Sequence, residues 1–151
     1  LKGAKAAGLK TGVYFRSEAK NVSEAEEEAL YVLGILKNET LELPVAYDLE
    51  YSNSMDKRSN ALNTAERTEL AQAFCKKIQE AGYEPMVYYD VAALSGKTLD
   101  LSALSGIKVW VADYEHEIGP AYTGEYQMWQ YSNYGSVSGI EGAVDLNHYI
   151  D

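Results

Sequence analysis

The chain has few of the residues that build nucleic-acid, disulfide or zinc sites. Only 13 of its 151 residues are Lys or Arg, against 23 Asp or Glu, and the net charge is −10. Nucleic acids and anionic membranes are bound by clustered cations, and no such cluster occurs, so neither partner is expected. One cysteine, Cys75, allows no internal disulfide, and with two histidines it cannot form a closed zinc site. We expect no metal and no cofactor.

Long apolar runs are also missing. No segment approaches the roughly 20 apolar residues that a membrane span needs. The first residues lack the charged start and apolar stretch of a secretion signal. If the parent protein is exported, its signal lies outside this chain or was not needed. The hydrophobic content of 46% and charged content of 24% are ordinary for a globular protein. The length predicts a single domain covering residues 1–151.

Short apolar runs alternate with helical patterns along the chain. Strands are predicted at residues 12–17, 43–50, 85–89, 108–114, 126–132 and 142–147, and long helices at 23–37 and 64–81. The first helix is predicted to start with a capping box at Ser23 and Glu26, the second with a cap at Asn63. Apolar strands separated by helices are typical of a parallel sheet covered by helices. The predicted fold is α/β, an irregular TIM-like (β/α) barrel, incomplete at its N-terminal end because residues 1–10 resemble the tail of a helix.

Two acids close the second predicted strand, which reads LPVAYDLE. Asp48 and Glu50 are two residues apart, so they point to the same face of a strand with Cα atoms about 6.6 Å apart. No Lys or Arg occurs between Lys37 and Lys57. Two neighbouring acids with no local cation repel each other, so one should hold its proton to higher pH, as a general acid must. Barrel enzymes place catalytic groups at this end of their strands.

The other strands also end in groups suited to a sugar. Tyrosine supplies 13 residues against two Phe and two Trp, and a tyrosine ring offers an apolar face and a hydrogen-bonding tip. Because parallel strands end at the same rim, we expect these groups to surround the acid pair. The strand-end segments are Tyr14-Phe15-Arg16, Tyr88-Tyr89-Asp90, Trp110-Val111-Ala112-Asp113-Tyr114, Met128-Trp129-Gln130-Tyr131-Ser132 and Asp145-Leu146-Asn147.

These segments make the chain resemble glycoside hydrolase family 25, the muramidases (lysozymes) of bacteria, phages and some fungi. The matching stretches occur in family order over almost the whole chain: AAGLKTGVYFRS, LPVAYDLE, FCKKIQEAGYEPMVYY, VWVADY, YQMWQYS and GIEGAVDLN. The family's domain opens with a strand carrying a D-x-S motif, which has no counterpart here. The resemblance therefore also implies that the family's N-terminal strands are lacking.

The resemblance implies hydrolysis of the β-1,4 bond between N-acetylmuramic acid and N-acetylglucosamine in peptidoglycan. It implies Glu50 as proton donor and Asp48 as the group that assists the substrate's N-acetyl group or stabilises an oxocarbenium-like state. Action would be extracellular or at the cell wall. Since wall polymers and this chain are both anionic, wall affinity would come from a separate module of the parent protein. The substrate-binding residues it implies are Asp145, Tyr88, Trp110, Tyr114, Trp129 and Gln130.

Two other functions fit parts of this pattern. A glycan-binding domain without catalysis would keep the aromatic rim, and a missing first strand favours it, whereas the retained acid pair argues against it. A divalent-cation site could use Asp48, Glu50, Asp113 and Asp145, because carboxylates suit such ions. The nearby tryptophans suit sugars better.

Overall fold

The computed structural model describes residues 1–37, 39–50, 58–96 and 98–150. Its strands are β1 (Val13–Arg16), β2 (Val45–Asp48), β3 (Pro85–Asp90), β4 (Lys108–Ala112), β5 (Met128–Gly135) and β6 (Val144–Tyr149). Its helices are α1 (Lys2–Ala6), α2 (Val22–Leu36), α3 (Thr64–Glu80) and α4 (Val91–Ser95), with a 3-10 helix at Leu101–Leu104. All six predicted strands and both long predicted helices are confirmed.

The strands form one sheet in chain order, β1 to β6. Strands β1 to β5 are parallel, whereas β6 runs antiparallel to β5 and pairs with it through two irregular steps. A parallel sheet with helices in its connections confirms the predicted α/β class and is consistent with part of a (β/α) barrel.

The start of α2 differs from the prediction. Asn21, rather than Ser23, is the N-cap: its side-chain oxygen accepts the Glu24 backbone N–H at 3.0 Å. Asparagine caps helices as well as serine does, and the helix therefore begins one residue before Ser23. The predicted cap of α3 is confirmed, and Asn63 and Glu66 form a complete capping box there.

The two faces of the sheet have different surroundings. One face, here called the helix face, packs against α2 and α3; there Tyr47 contacts Phe74 with ring centroids 4.9 Å apart. Cys75 lies in the same core, as predicted, and burial raises the pKa of its thiol to about 12. Residues that alternate with these point to the opposite, cleft face. The cleft-face residues used below are Tyr14, Arg16, Asp48, Tyr88, Trp110, Gln130, Asp145 and Asn147.

Candidate active site

The two acids lie at the carboxyl end of β2, as predicted. Strand β2 ends at Asp48, which is buried with 5% exposure, and Glu50 follows two residues later, half-buried at the rim. Asp48 is in register with Arg16 of β1 and with Tyr88 of β3. This register lines up a carboxylate with a cation on one side and a phenol on the other, across three adjacent strands.

Tyr88, Tyr114 and Gln130 are joined by hydrogen bonds. The Tyr88 hydroxyl donates to Gln130 Oε1 at 2.8 Å, and the Tyr114 hydroxyl donates to the same oxygen. Tyr88 and Gln130 are buried, with 8% and 3% exposure, whereas Tyr114 is 45% exposed at the rim. Because both hydroxyls share one acceptor, the Gln130 side-chain oxygen is oriented toward them and its amide N–H groups are left to point elsewhere.

The acids of the cleft lie close enough to these tyrosines to affect their ionisation. Burial raises the pKa of Tyr88, and the nearby Tyr114, Glu50 and Asp48 raise it further. Burial also raises the pKa of Tyr114; the neighbouring Tyr88 hydroxyl opposes this effect, and the charges of Asp145 and Glu50 add to it. Both phenols therefore stay protonated at neutral pH and act as hydrogen-bond donors.

Trp110 lies beside this network. Its ring meets Tyr88 edge-on, with centroids 4.7 Å apart, and meets Tyr14 edge-on at 6.3 Å. Its indole Nε1 donates to Asn147 Oδ1 at 2.9 Å, which fixes the ring plane. Tyr14, Tyr88 and Trp110 thus form a continuous aromatic wall next to Asp48, the arrangement that lets sugar rings stack while their hydroxyls reach polar groups.

The structure does not bring Trp129 into this cleft. Trp129 is 9% exposed and belongs to the helix-face core, and its indole N–H donates to the backbone oxygen of Asp113 at 2.9 Å. It is adjacent to Gln130 in β5, and neighbouring strand residues point to opposite faces. Of the other predicted binding residues, Tyr88, Trp110, Tyr114 and Gln130 contact one another, and Asp145 lies close enough to Tyr114 to affect its ionisation.

The side chain of Asp113 is also engaged elsewhere. Its carboxylate accepts the backbone N–H of Ala121 at 2.7 Å and of Glu115 at 3.1 Å, and contacts His116 Nδ1 at 2.9 Å. Within the described ranges, no three His, Cys, Asp or Glu side chains are grouped so that they could hold a metal ion. The four-acid cation site considered from the sequence is therefore not formed by these residues.

Two contributors were not assigned roles from the sequence, although both stand in predicted strand ends. Asn147 holds the Trp110 indole, and Arg16 Nη2 lies 2.9 Å from Glu50 Oε2. Arg16 supplies from β1 the cation that the sequence around Asp48 and Glu50 lacks. No local signal indicated this contact, because it depends on the register in which β1 pairs with β2.

Among the described residues, no helix combines the length and apolar character that a membrane crossing requires. Comparison with curated proteins finds no match. The chain is similar to the CTP1L endolysin (26% identity, TM-score 0.78) over 99% of its own length and 50% of the endolysin chain. It is similar to the modular autolysin LytC from Streptococcus pneumoniae (29% identity, TM-score 0.78) over 97% and 35% of the two chains. It thus spans half or less of these two relatives.

A third similar structure is a bacterial lysozyme from Streptomyces coelicolor, which supports the fold alone. It is 19% identical with a TM-score of 0.75, over 98% of this chain and 70% of that chain. The family model described as glycosyl hydrolases family 25 matches residues 1–140. The strand-end acids, the aromatic wall and this match over most of the sequence lead to one assignment: the chain belongs to glycosyl hydrolase family 25.

Proposed function

We propose that this chain hydrolyses the β-1,4 bond between N-acetylmuramic acid and N-acetylglucosamine in bacterial peptidoglycan. The observation that carries the proposal is the position of Asp48 and Glu50 beside an aromatic wall in a family 25 domain. LytC, 28% identical over 97% of this chain, has been solved with a synthetic peptidoglycan ligand. The CTP1L relative is an endolysin, which agrees with action at the cell wall.

In the proposed reaction Glu50 is the acid. Its carboxyl proton passes to the glycosidic oxygen while the bond from that oxygen to the anomeric carbon breaks. The acetamido oxygen of the substrate attacks the anomeric carbon, and Asp48 accepts a hydrogen bond from the acetamido N–H, which stabilises the positive charge formed there. Water then opens the ring intermediate, and Glu50, now a carboxylate, takes a proton from that water.

The remaining cleft residues are assigned to binding. Trp110 offers an apolar surface to a sugar ring, and Tyr88 and Tyr114 hold Gln130 so that its N–H groups can donate to sugar oxygens. Asp145 is exposed on β6 and its carboxylate can accept from sugar hydroxyls. Trp129 was also expected to bind the substrate; from its position we assign it to supporting β4 and β5 from the helix face.

The test is product analysis. The parent chain and its Glu50→Gln variant are incubated with purified peptidoglycan, and new reducing ends are reduced with borohydride and identified by mass spectrometry. Glu69→Gln, an exposed position on α3, is the matched control. We expect reduced muramic acid from the parent chain and from Glu69→Gln, and none from Glu50→Gln. Reduced N-acetylglucosamine would contradict the proposed bond.

A glycan-binding domain without catalysis is the second candidate. The aromatic wall of Tyr14, Tyr88 and Trp110 favours it, because aromatic rings can hold a sugar without any acid. Under this alternative, folded parent chain and Glu50→Gln would sediment equally with insoluble peptidoglycan and neither would release reducing ends. The two candidates therefore give opposite results in one experiment.

A further inference from the structure

Arg16 and Glu50 form an ion pair between two strand ends. Arg16 Nη2 lies 2.9 Å from Glu50 Oε2, and the two residues are 34 positions apart in the sequence. Arg16 is the last residue of β1, and its backbone is in register with Asp48. The side chains retain 57% and 31% exposure, so the pair is open to solvent and to an incoming substrate.

The other charged and titratable groups around Glu50 are mostly acidic or neutral. Asp48 lies on the same strand, and Tyr88 and Tyr114 are close enough to sense the Glu50 charge. Arg67 of α3 and Asp90 of β3 line the same pocket as Glu50, of about 520 Å³. Arg67 is buried and donates to the backbone oxygens of Ser59 and Leu62. Within the described residues, Arg16 is the one cation in an ion pair with Glu50.

We propose that Arg16 is a positioning residue for Glu50: it orients the carboxyl group and stabilises the carboxylate that remains once the proton has been donated. This inference rests on the proposed function, in which Glu50 is the acid. When the proton moves to the glycosidic oxygen, negative charge appears on Glu50, and the guanidinium at 2.9 Å stabilises it. The same carboxylate, held in place, is the base that later takes a proton from water.

A positioning role can be separated from a structural one. Removing the guanidinium should lower the maximal rate, because the carboxylate left by proton donation loses its partner at 2.9 Å, while Trp110 and Gln130 remain available to bind the glycan. A residue that only braced β1 would lower the melting temperature, and a lysine in its place would not restore the rate.

The experiment compares kcat and KM on peptidoglycan for the parent chain, Arg16→Gln and Arg16→Lys. Arg58→Gln is the matched control, since Arg58 forms a similar pair with Glu24 of α2 at 3.0 Å. For Arg16→Gln we expect kcat to fall about three- to tenfold with little change in KM, a modest effect because the pair is partly exposed. Arg16→Lys should recover most of the lost kcat, and Arg58→Gln should match the parent chain.

The outcomes separate this inference from the function on which it rests. An active parent chain, an inactive Glu50→Gln variant and an unchanged kcat in folded Arg16→Gln would overturn the role of Arg16 alone. The same holds if Arg58→Gln lowers kcat equally, because the effect would then be one of net charge. A folded parent chain that releases no reducing ends would overturn both proposals. Thermal unfolding of each variant establishes that it is folded.

Discussion

Tyr88 and Gln130 meet across an intervening strand. Tyr88 belongs to β3 and Gln130 to β5, yet the phenol oxygen and the amide oxygen are 2.8 Å apart on the cleft face. The contact spans β4, where Ala112 is the register partner of Gln130. The small alanine side chain leaves room for this bridge. Strands β3 and β5 are therefore joined directly by a side-chain hydrogen bond on the cleft face, in addition to the backbone pairing of each with β4.

This bridge predicts the behaviour of Tyr88→Phe. The ring would stay against Trp110, while Gln130 would lose one of its two donors and rotate more freely. A buried hydrogen bond contributes about 1 kcal/mol, so kcat/KM on peptidoglycan should fall about fivefold. Tyr134→Phe, at a tyrosine with 87% exposure, is the control and should match the parent chain. An unchanged kcat/KM in Tyr88→Phe would show that the bridge does not contribute to substrate binding.

The two tryptophans should respond differently to substitution by phenylalanine. Trp110→Phe loses the bond to Asn147 and part of the aromatic wall, so we expect weaker glycan binding with a melting temperature close to that of the parent chain. Trp129→Phe loses a buried contact to Asp113, so we expect a lower melting temperature. Indole fluorescence provides the readout, because these are the only two tryptophans. A glycan-induced change that survives in Trp110→Phe and disappears in Trp129→Phe would reverse both assignments.

Acid should remove the contribution of Asp113 to stability. Burial opposes ionisation of this carboxyl, but hydrogen bonds from Ala121, His116 and Glu115 hold its pKa below the usual range. A carboxyl whose pKa is lower in the folded state stabilises the fold above the unfolded-state value, near 4, and loses that effect as pH falls through the folded-state pKa. Asp113→Asn should therefore be less stable than the parent chain at pH 7, and the difference should shrink below about pH 4.

Thermal unfolding of both proteins between pH 3 and pH 7 checks this prediction. Glu69→Gln, which changes an exposed carboxyl on α3, should follow the parent chain throughout. A difference between Asp113→Asn and the parent chain that grows toward low pH would have the wrong sign and would contradict the prediction.

Phe74→Ala should disturb the site from the helix face. Phe74 is fully buried and packs on Tyr47, the residue before Asp48 in β2. Deleting the ring leaves a cavity beneath that strand and should lower the free energy of unfolding by about 3 to 5 kcal/mol. Phe74→Leu, which keeps most of the volume, should lose less. Urea denaturation measures both, and equal stability of the two variants would show that the ring is not close-packed.

The sequence predicted the order of elements because local signals agree with the tertiary structure. The alternation of apolar runs and helical patterns gave the parallel sheet, and Asn63 with Glu66 marked the start of α3. The cap of α2 was misplaced because Asn21 and Ser23 are both good caps, and local propensity does not choose between them. Only the packing of the helix in the folded protein determines which of the two residues is the N-cap.

Contacts between side chains of different strands were harder to predict than the positions of the strands in the sequence. Trp129 and Gln130 were both expected to bind the substrate, although neighbouring residues of a strand point to opposite faces. The burial of Trp129 shows that its face is the core side. The contact of Arg16 with Glu50 had no local signal, because the local sequence around Glu50 contains no cation. Such long-range contacts depend on strand register, which a single sequence does not fix.

The agreement between strand order and chain order has an evolutionary consequence. Each strand donates its own residue to the cleft, so a segment containing one strand and its helix can be exchanged or mutated while the neighbouring contributions stay in place. The cleft can then diverge one segment at a time. The exceptions are the side-chain pairs that join different strands, Arg16–Glu50, Trp110–Asn147 and Tyr88–Gln130, and we expect the two positions of each pair to vary in concert among descendants of a common ancestor.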